Sequence, residues 1–206
     1  MPPDVNNHQT DHDSAVLSDQ DVRAYIDRHH LDARVFTLDT PTPTVERSAE
    51  VLNTQPERII KSLIFMAKGE PHVVIAAGLA RIDEKKLRDA LAVSRKQLRL
   101  AKPEEALELS GYVIGSMPPF AHRQVLPTLI DNLSIPLDTA DTVTAGADTV
   151  TAGADTVTAG ADTVTAGTDD RYYAGAGLVN ALMALSLQTL CNASNALAFP
   201  LSRQDT

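Results

Sequence analysis

Tryptophan is absent from the 206 residues, and aromatic side chains make up only 4% of them. The core must therefore be built from Leu, Ile, Val and Ala, and rings on which nucleobases stack are scarce. A single cysteine, Cys191, excludes an intrachain disulfide and a cysteine-based zinc site, so a reducing compartment is expected. No 18 apolar residues run together, and the first 15 residues hold neither a basic nor an apolar leader segment. A soluble, cytoplasmic chain with no membrane partner follows as an expectation. Hydrolytic signatures are missing as well: there is no Gly-x-Ser-x-Gly elbow and no His-Glu-x-x-His pair.

Charge of one sign is confined to two places. Lys plus Arg number 18 against 27 Asp plus Glu, a net of −9. Asp4, Asp11, Asp13, Asp141, Asp148, Asp155, Asp162, Asp169 and Asp170 carry that whole excess, in two stretches without Lys or Arg. The remaining body is balanced, so the acidic total does not argue against a polyanionic partner. Between Arg81 and Lys102 lie eight basic residues, among them Lys85, Lys86 and Arg88, against Asp83, Glu84 and Asp89. That stretch either steers a nucleic-acid backbone or is simply a solvated face.

The length fits one domain with appendages. Residues 1–14 have the composition of a mobile tail, in which His8 and His12 offer no ligand geometry. Ser18 caps a predicted helix up to His30, and a strand over Leu31–Thr37 follows. Thr44 caps a second helix whose buried side is marked by Val45, Ala49, Val51 and Leu52. Ile59–Ala67, apolar on both faces, turns through Lys68-Gly69-Glu70-Pro71 into His72–Ala77, a central hairpin. Helices are predicted from Asp83 to Leu91, from Lys102-Pro103 to Ser110, and over Leu187–Ala193. Strands are predicted at Gln97–Leu100, Leu126–Ile130, Tyr172–Ala174, Ala181–Leu185 and Ala196–Leu201. This is an α/β pattern, and it implies a single domain over 15–206 with a mixed, strongly twisted or barrel-like β-sheet and peripheral helices. The heptad Ala-Asp-Thr-Val-Thr-Ala-Gly occurs four times without substitution over 140–167. Thr-Val-Thr favours strand and Gly recurs in each unit, which rejects a coiled coil. Two readings remain, a small stacked β structure and an extended, mobile surface insertion expanded by tandem duplication, and the second is expected.

Lys61 breaks a local rule. On the strand period of two it shares a face with Ile59, Leu63 and Phe65, whereas Ile60, Ser62, Ile64 and Met66 take the other. A lysine on an apolar face either snorkels and pairs, or is a perturbed functional group. Gly111-Tyr-Val-Ile-Gly115-Ser116-Met117-Pro118-Pro119-Phe120 is a glycine-hinged loop able to present backbone N–H groups, though it matches neither a Walker nor a Rossmann pattern. Gly175-Ala176-Gly177 is a second small-residue loop. His122 beside Pro118-Pro119 is either an acid/base or a hydrogen-bonding loop residue.

Taken together these residues resemble the YbaK/prolyl-tRNA synthetase-associated domain family of aminoacyl-tRNA editing deacylases. The resemblance covers about Ser18–Ala140 and resumes at Arg171–Leu201. Its blocks are Pro56-Glu57-Arg58-Ile59-Ile60-Lys61-Ser62-Leu63-Ile64-Phe65, Arg81-Ile82-Asp83-Glu84-Lys85-Lys86-Leu87, Gly111-Tyr112 through Pro119-Phe120, and Leu126-Pro127-Thr128-Leu129-Ile130-Asp131. The resemblance implies trans-editing hydrolysis of the ester of a misacylated tRNA of the Ala- or Cys-tRNA(Pro) type. It places Lys61 at the family's functional lysine and Gly115–Pro119 at its Gly-x-x-x-Pro loop, which positions the ester carbonyl through backbone groups. Gly175, Gly177 and Asn180 would add to the substrate site, and Lys85, Lys86 and Arg88 would contact tRNA. No metal or cofactor is implied; aminoacyl-tRNA is the expected partner, with prolyl-tRNA synthetase a further one, and no DNA. Leu182 falls where some members carry an acidic residue, Asn180 near where others carry His, and Phe36 and Leu38 where certain relatives place Tyr. Two other readings stay open: a non-catalytic tRNA- or synthetase-binding protein of the same fold, and a small-metabolite pocket.

Overall fold

Local capping explains where the helices begin. In the computed structural model, which describes residues 16–137 and 171–203, the Gln20 N–H donates to Ser18 Oγ and the Ser18 N–H donates to Asp21 Oδ2. That capping box opens α1 (Asp19–Arg28). β1 (Ala33–Thr37) follows, and Thr44 then caps α2 (Val45–Leu52), which stops at Asn53 in the left-handed region. A single 3₁₀ turn, Pro56–Arg58, feeds β2 (Ile59–Ala67), and the Lys68-Gly69 turn returns the chain as β3 (Glu70–Ala77). Asp83 caps α3 (Glu84–Leu91) through the Lys85 and Lys86 N–H groups; β4 (Leu98–Leu100) comes next. Pro103 sets the first turn of α4 (Pro103–Ser110), and the remaining elements are β5 (Thr128–Asp131), β6 (Arg171–Gly175), β7 (Ala181–Ser186), α5 (Leu187–Ser194) and β8 (Leu197–Phe199). The predicted elements are present within a few residues. The tail over 1–14 lies outside the described residues, as does the heptad array over 140–167.

All eight strands join one mixed sheet in the order β1-β7-β6-β2-β3-β5-β8, with β4 on β2. β6 on β2, β5 on β3 and β8 on β5 are parallel; the other pairs are antiparallel. Among the described residues the sheet is open: β1 pairs only with β7 and β8 only with β5, so the barrel-like alternative does not form there.

Both faces of β2 and β3 are covered, which is why their sequences are apolar throughout. Ile60, Ile64, Val73, Ile75 and Ala77 face the larger cluster with Val22 and Ile26 of α1, Leu190 of α5, Tyr112 and Phe120. Phe65, Ala67 and Val74 face a smaller one with Leu87 of α3, Leu98 and Leu201, against which Leu63 packs. The odd and even residues of β2 thus separate as the period of two predicts. α2 departs from its predicted pattern: Ser48 and Ala49 are its buried residues, while Val45, Val51 and Leu52 are only half-buried. Ser48 satisfies its hydroxyl on the Thr44 carbonyl at 2.9 Å, so a polar side chain occupies the inner side of α2. No helix among the described residues is long and apolar enough to cross a membrane.

Asp131, at the end of β5, is fully buried and ties the chain end to the sheet. Its Oδ1 accepts the Leu201 N–H at 2.8 Å and the Ser202 N–H at 3.0 Å, and its Oδ2 accepts the Ser134 N–H at 3.2 Å. Burial alone pushes such a carboxyl upward. The hydroxyl and N–H donors around it outweigh that and hold its pKa below the ordinary value.

Candidate functional site

β2 has one complete edge and one interrupted edge. β3 runs beside it from Ile60↔Ala77 to Ala67↔Glu70. On the opposite edge β6 reaches only Ile59 and Ile60, and β4 only Phe65–Ala67, with the Ala101 N–H bonded to the Ile64 carbonyl at 2.8 Å. Between these two partners, at Lys61–Leu63, a cavity of about 280 Å³ opens against the edge. Its walls come from β2, from the start of α2, from Ile114, Gly115 and Met117, and from Gly175 and Leu182.

The Gly111–Phe120 loop is held rigidly in that wall. Tyr112 is buried, and its hydroxyl donates to the Ala121 carbonyl at 2.9 Å. Ser116 turns inward, its hydroxyl donating to Val113 O at 3.0 Å, while its carbonyl accepts the Gly177 N–H at 2.8 Å. A Cβ on Gly175 would lie 2.8 Å from the Ser116 carbonyl oxygen and 3.0 Å from that of Met117. Glycine is therefore what lets the loop backbone lie directly on the end of β6. His122 Nε2 is 2.8 Å from the Pro118 carbonyl, a contact that requires the proton on Nε2. Burial pulls the imidazole pKa below its ordinary value, only partly offset by that carbonyl, so the ring is a neutral brace for the loop.

Lys61 sits where two cavities meet. Its Nζ donates to the Gly78 carbonyl at 3.0 Å and to the Ala80 carbonyl at 2.5 Å, which leaves one of three ammonium donors uncommitted. Burial lowers its pKa from the ordinary lysine value; Glu46 and Asp131 oppose that shift, and Arg81 adds to it. Lys61 and Val45 line both the 280 Å³ cavity and an open cleft of about 1020 Å³, whose walls include Glu46, Glu57, Arg81, Ser134 and Arg203. A lysine tied to two carbonyls is arranged to act as a cation and donor, not as a base.

The structure brings Lys61, Gly115, Met117 and Gly175 to one cavity and sets the other sequence candidates around it. Ser116 and Pro118 are buried behind the wall, and Pro119 lines a separate shallow hollow with Tyr25 and His122. A Cβ on Gly177 would meet the Ser18 carbonyl carbon at 2.5 Å, away from the cavity. Asn180 Nδ2 donates to the Leu38 carbonyl at 3.1 Å, joining the chain after β1 to the start of β7. On α3, Lys85 pairs with Asp89 at 3.0 Å, Lys86 donates to the Ser202 carbonyl at 2.7 Å, and Arg88 is half-buried. Sequence reasoning missed Arg203. It is placed beside Arg81 by the Arg203 N–H to Arg81 carbonyl bond of 2.9 Å and the Ile82↔Ser202 bridge, a pairing across 120 positions that no local pattern announces.

Comparison with known proteins bears on the family and the fold. A model of the aminoacyl-tRNA editing domain matches residues 39–157. Uncharacterized protein YwhH of Bacillus subtilis (strain 168) is 34% identical over 105 residues, which cover 50% of this chain and 65% of that protein. The proline–tRNA ligase of Ligilactobacillus salivarius (strain UCC118) is 36% identical over 88 residues, 43% of this chain but 15% of the ligase. The chain thus spans just under two thirds of the first relative's length and a small part of the second's. Among solved structures, a candidate trans-editing enzyme for prolyl tRNA synthetase superposes with a TM-score of 0.68 at 21% identity, covering 90% of this chain and 97% of that one. Hypothetical protein APE2540 superposes with a TM-score of 0.67 at 23% identity, covering 89% and 99%. These two likenesses establish the shared fold, and the family model covers more than half of the sequence. The chain belongs to the aminoacyl-tRNA editing domain family.

Proposed function

We propose that this protein is a deacylase that hydrolyses the ester of a misacylated tRNA, of the Ala- or Cys-tRNA(Pro) type, in a cytoplasmic setting. The observation that carries the reading is the convergence of Lys61, the Gly115–Met117 backbone and Gly175 on one cavity at the interrupted edge of β2. At about 280 Å³ this cavity lies just below the usual range of roughly 300–1,000 Å³ for small-molecule sites, which suits an aminoacyl group and not a whole nucleotide. Ile60, Ile114, Met117 and Leu182 supply its apolar wall, which suits a small uncharged side chain.

In this reading water adds to the ester carbonyl, and the tetrahedral intermediate collapses to the free amino acid. The proton released from water is taken up by the terminal ribose oxygen as the ester bond breaks. An aminoacyl ester is already activated, so orientation by a cation and by backbone N–H groups suffices without a covalent intermediate. The third donor of Lys61 faces the ester or its neighbouring phosphate. Arg81 and Arg203 supply the positive side towards the tRNA strand, and the α3 cations Lys85, Lys86 and Arg88 lie on its flank, outside the cleft. Ser116, Pro118, Pro119, Gly177 and Asn180 act by holding the loop and the strand ends that frame the cavity.

Release of amino acid from a panel of mischarged tRNAs, including Ala- and Cys-tRNA(Pro), by wild type and Lys61→Ala tests the proposal. Hydrolysis that collapses in the variant supports it. Binding of tRNA with no hydrolysis of any member favours the non-catalytic alternative, which the engagement of two Lys61 donors with Gly78 and Ala80 already accommodates.

A further inference from the structure

Among the described residues, the interrupted edge of β2 leaves one residue whose backbone groups no strand partner reaches. The Ala67↔Glu70 pair beside the two-residue turn, and the Gly78 N–H to Ile59 carbonyl bond, set the phase of the hairpin. Residues 59, 61, 63, 65 and 67 exchange bonds with β3, and the even residues direct their N–H and C=O to the other edge. Ile60 is met there by β6, and the Ile64 carbonyl by the Ala101 N–H. Neither partner's register reaches Ser62. The Ser62 side chain adds to this: Oγ is buried, and it is the one buried side-chain polar atom among the described residues without a hydrogen-bond partner. Ser62 also lines the 280 Å³ cavity. A buried hydroxyl without a partner is destabilising, and such a group in a cavity wall calls for a ligand.

Resting on the deacylase reading, we propose that Ser62 binds the aminoacyl group as a strand would: its N–H bonds the ester carbonyl, its C=O accepts from the α-ammonium, and Oγ takes its missing partner from the same ligand. The match is one of covalent geometry. In a hydrogen-bonded antiparallel pair, one residue's N–H and C=O engage the C=O and N–H of a single residue opposite. An aminoacyl ester carries those two groups on one N–Cα–C unit. The open edge therefore recognises the α-amino acid moiety whatever its side chain, and the apolar wall sorts the side chain. The N–H also polarises the carbonyl that water attacks.

The test uses the full chain and a non-hydrolysable probe, 3′-alanylamino-3′-deoxyadenosine, with its α-N-acetyl derivative, by titration calorimetry. Acetylation removes the ammonium and should weaken binding to wild type at least tenfold. Ser62→Ala should weaken the unacetylated probe about tenfold, the worth of one hydrogen bond of about 1.4 kcal/mol. The same variant should melt at the wild-type temperature or above it, because it removes an unsatisfied buried hydroxyl; a purely structural serine would melt lower. Equal binding of the acetylated probe, equal binding by Ser62→Ala, no binding of either probe, or a lowered melting temperature would each overturn the assignment. The acetylation arm needs no variant. Expected probe binding without hydrolysis of any mischarged tRNA would leave the Ser62 assignment standing and remove the deacylase reading. Hydrolysis with no effect of Ser62→Ala would do the reverse.

Discussion

The two cavities that meet at Lys61 are built from opposite materials. The smaller one is walled by Ile60, Ile114, Met117 and Leu182 with backbone between them, and no side chain other than Lys61 brings charge to it. The larger cleft sets Glu46 and Glu57 with Arg81 and Arg203. Apolar side chains mark both mouths: Ile114 is 62% exposed at one and Leu79 55% at the other. The contrast teaches a division of labour. An apolar enclosure strengthens the field of a single cation at its border, whereas an open charged cleft attracts a polyanion but discriminates little within it. In the proposed deacylation, selection of the acyl group would belong to the first and engagement of the strand to the second, with Lys61 at the junction.

Removing the junction should have the largest effect. Lys61→Ala should lower kcat/KM for deacylation about a hundredfold, the scale of losing a preorganised donor to a developing oxyanion. Lys61→Arg should recover part of it by keeping the charge. Because burial lowers the ammonium's pKa, the alkaline limb of the rate profile should fall below the ordinary lysine value of 10.5. A limb at or above 10.5 would show that the reaction does not depend on this ammonium. Next comes the wall between loop and sheet. Gly175→Ala places a Cβ 2.8 Å from the Ser116 carbonyl oxygen, so the loop must move. Overpacking of this kind costs about 1–3 kcal/mol of stability, readable as a lower melting temperature, and should cut kcat/KM about tenfold by displacing Gly115 and Met117. An unchanged rate would mean that the loop backbone does not position the ester.

How much of this was legible in the sequence depends on the range of the interaction that sets it. Ser18, Thr44 and Asp83 cap helices through neighbours two or three positions away, and those helices were readable. The parity that sets Lys61 apart from Ile60 and Ile64 was readable because β2 is buried on both faces and alternation leaves no choice. The Gly115–Met117 wall announced itself by composition, but the anchoring of the Ser116 carbonyl did not, since its partner is the Gly177 N–H, 61 residues later. The order β1-β7-β6-β2, the placing of Arg203 beside Arg81 and the gathering of Leu201 and Ser202 onto Asp131 are long-range pairings. Ser62 illustrates the limit. Its place on a strand was plain, but its significance arises only where β6 stops and β4 has not begun.

The charged cleft can be sharpened against the outer face of α3. Arg81 and Arg203 line the cleft, whereas Lys85 is paired with Asp89. Arg81→Glu with Arg203→Glu should weaken tRNA binding about tenfold and reduce the slope of log K against log salt by about 1.4, two single-strand phosphate contacts at roughly 0.7 each. Lys85→Glu should change the slope little. An equal change from both would spread tRNA contact over α3 and dissolve the distinction between cleft and flank.

The smallest effect belongs to the brace behind the acyl cavity. His122 is kept neutral by burial, with a pKa below the ordinary 6.5, and its Nε2–H holds the Pro118 carbonyl. A depressed folded-state pKa means that its contribution to stability is complete above about pH 6.5. As the pH falls from there towards the folded value, the unfolded chain binds a proton that the folded chain refuses, and stability is lost. The loss can reach at most about 1.4 kcal/mol per pH unit for one group. His122→Gln keeps a donor for Pro118 O without the titration, so its melting temperature should fall less than wild type between pH 7.5 and 5.5. The other histidines are common to both proteins and cancel in the difference. Parallel curves would show that the ring protonates without strain, and that the loop at the acyl cavity is insensitive to acid; converging curves would place the acid sensitivity of that cavity on His122.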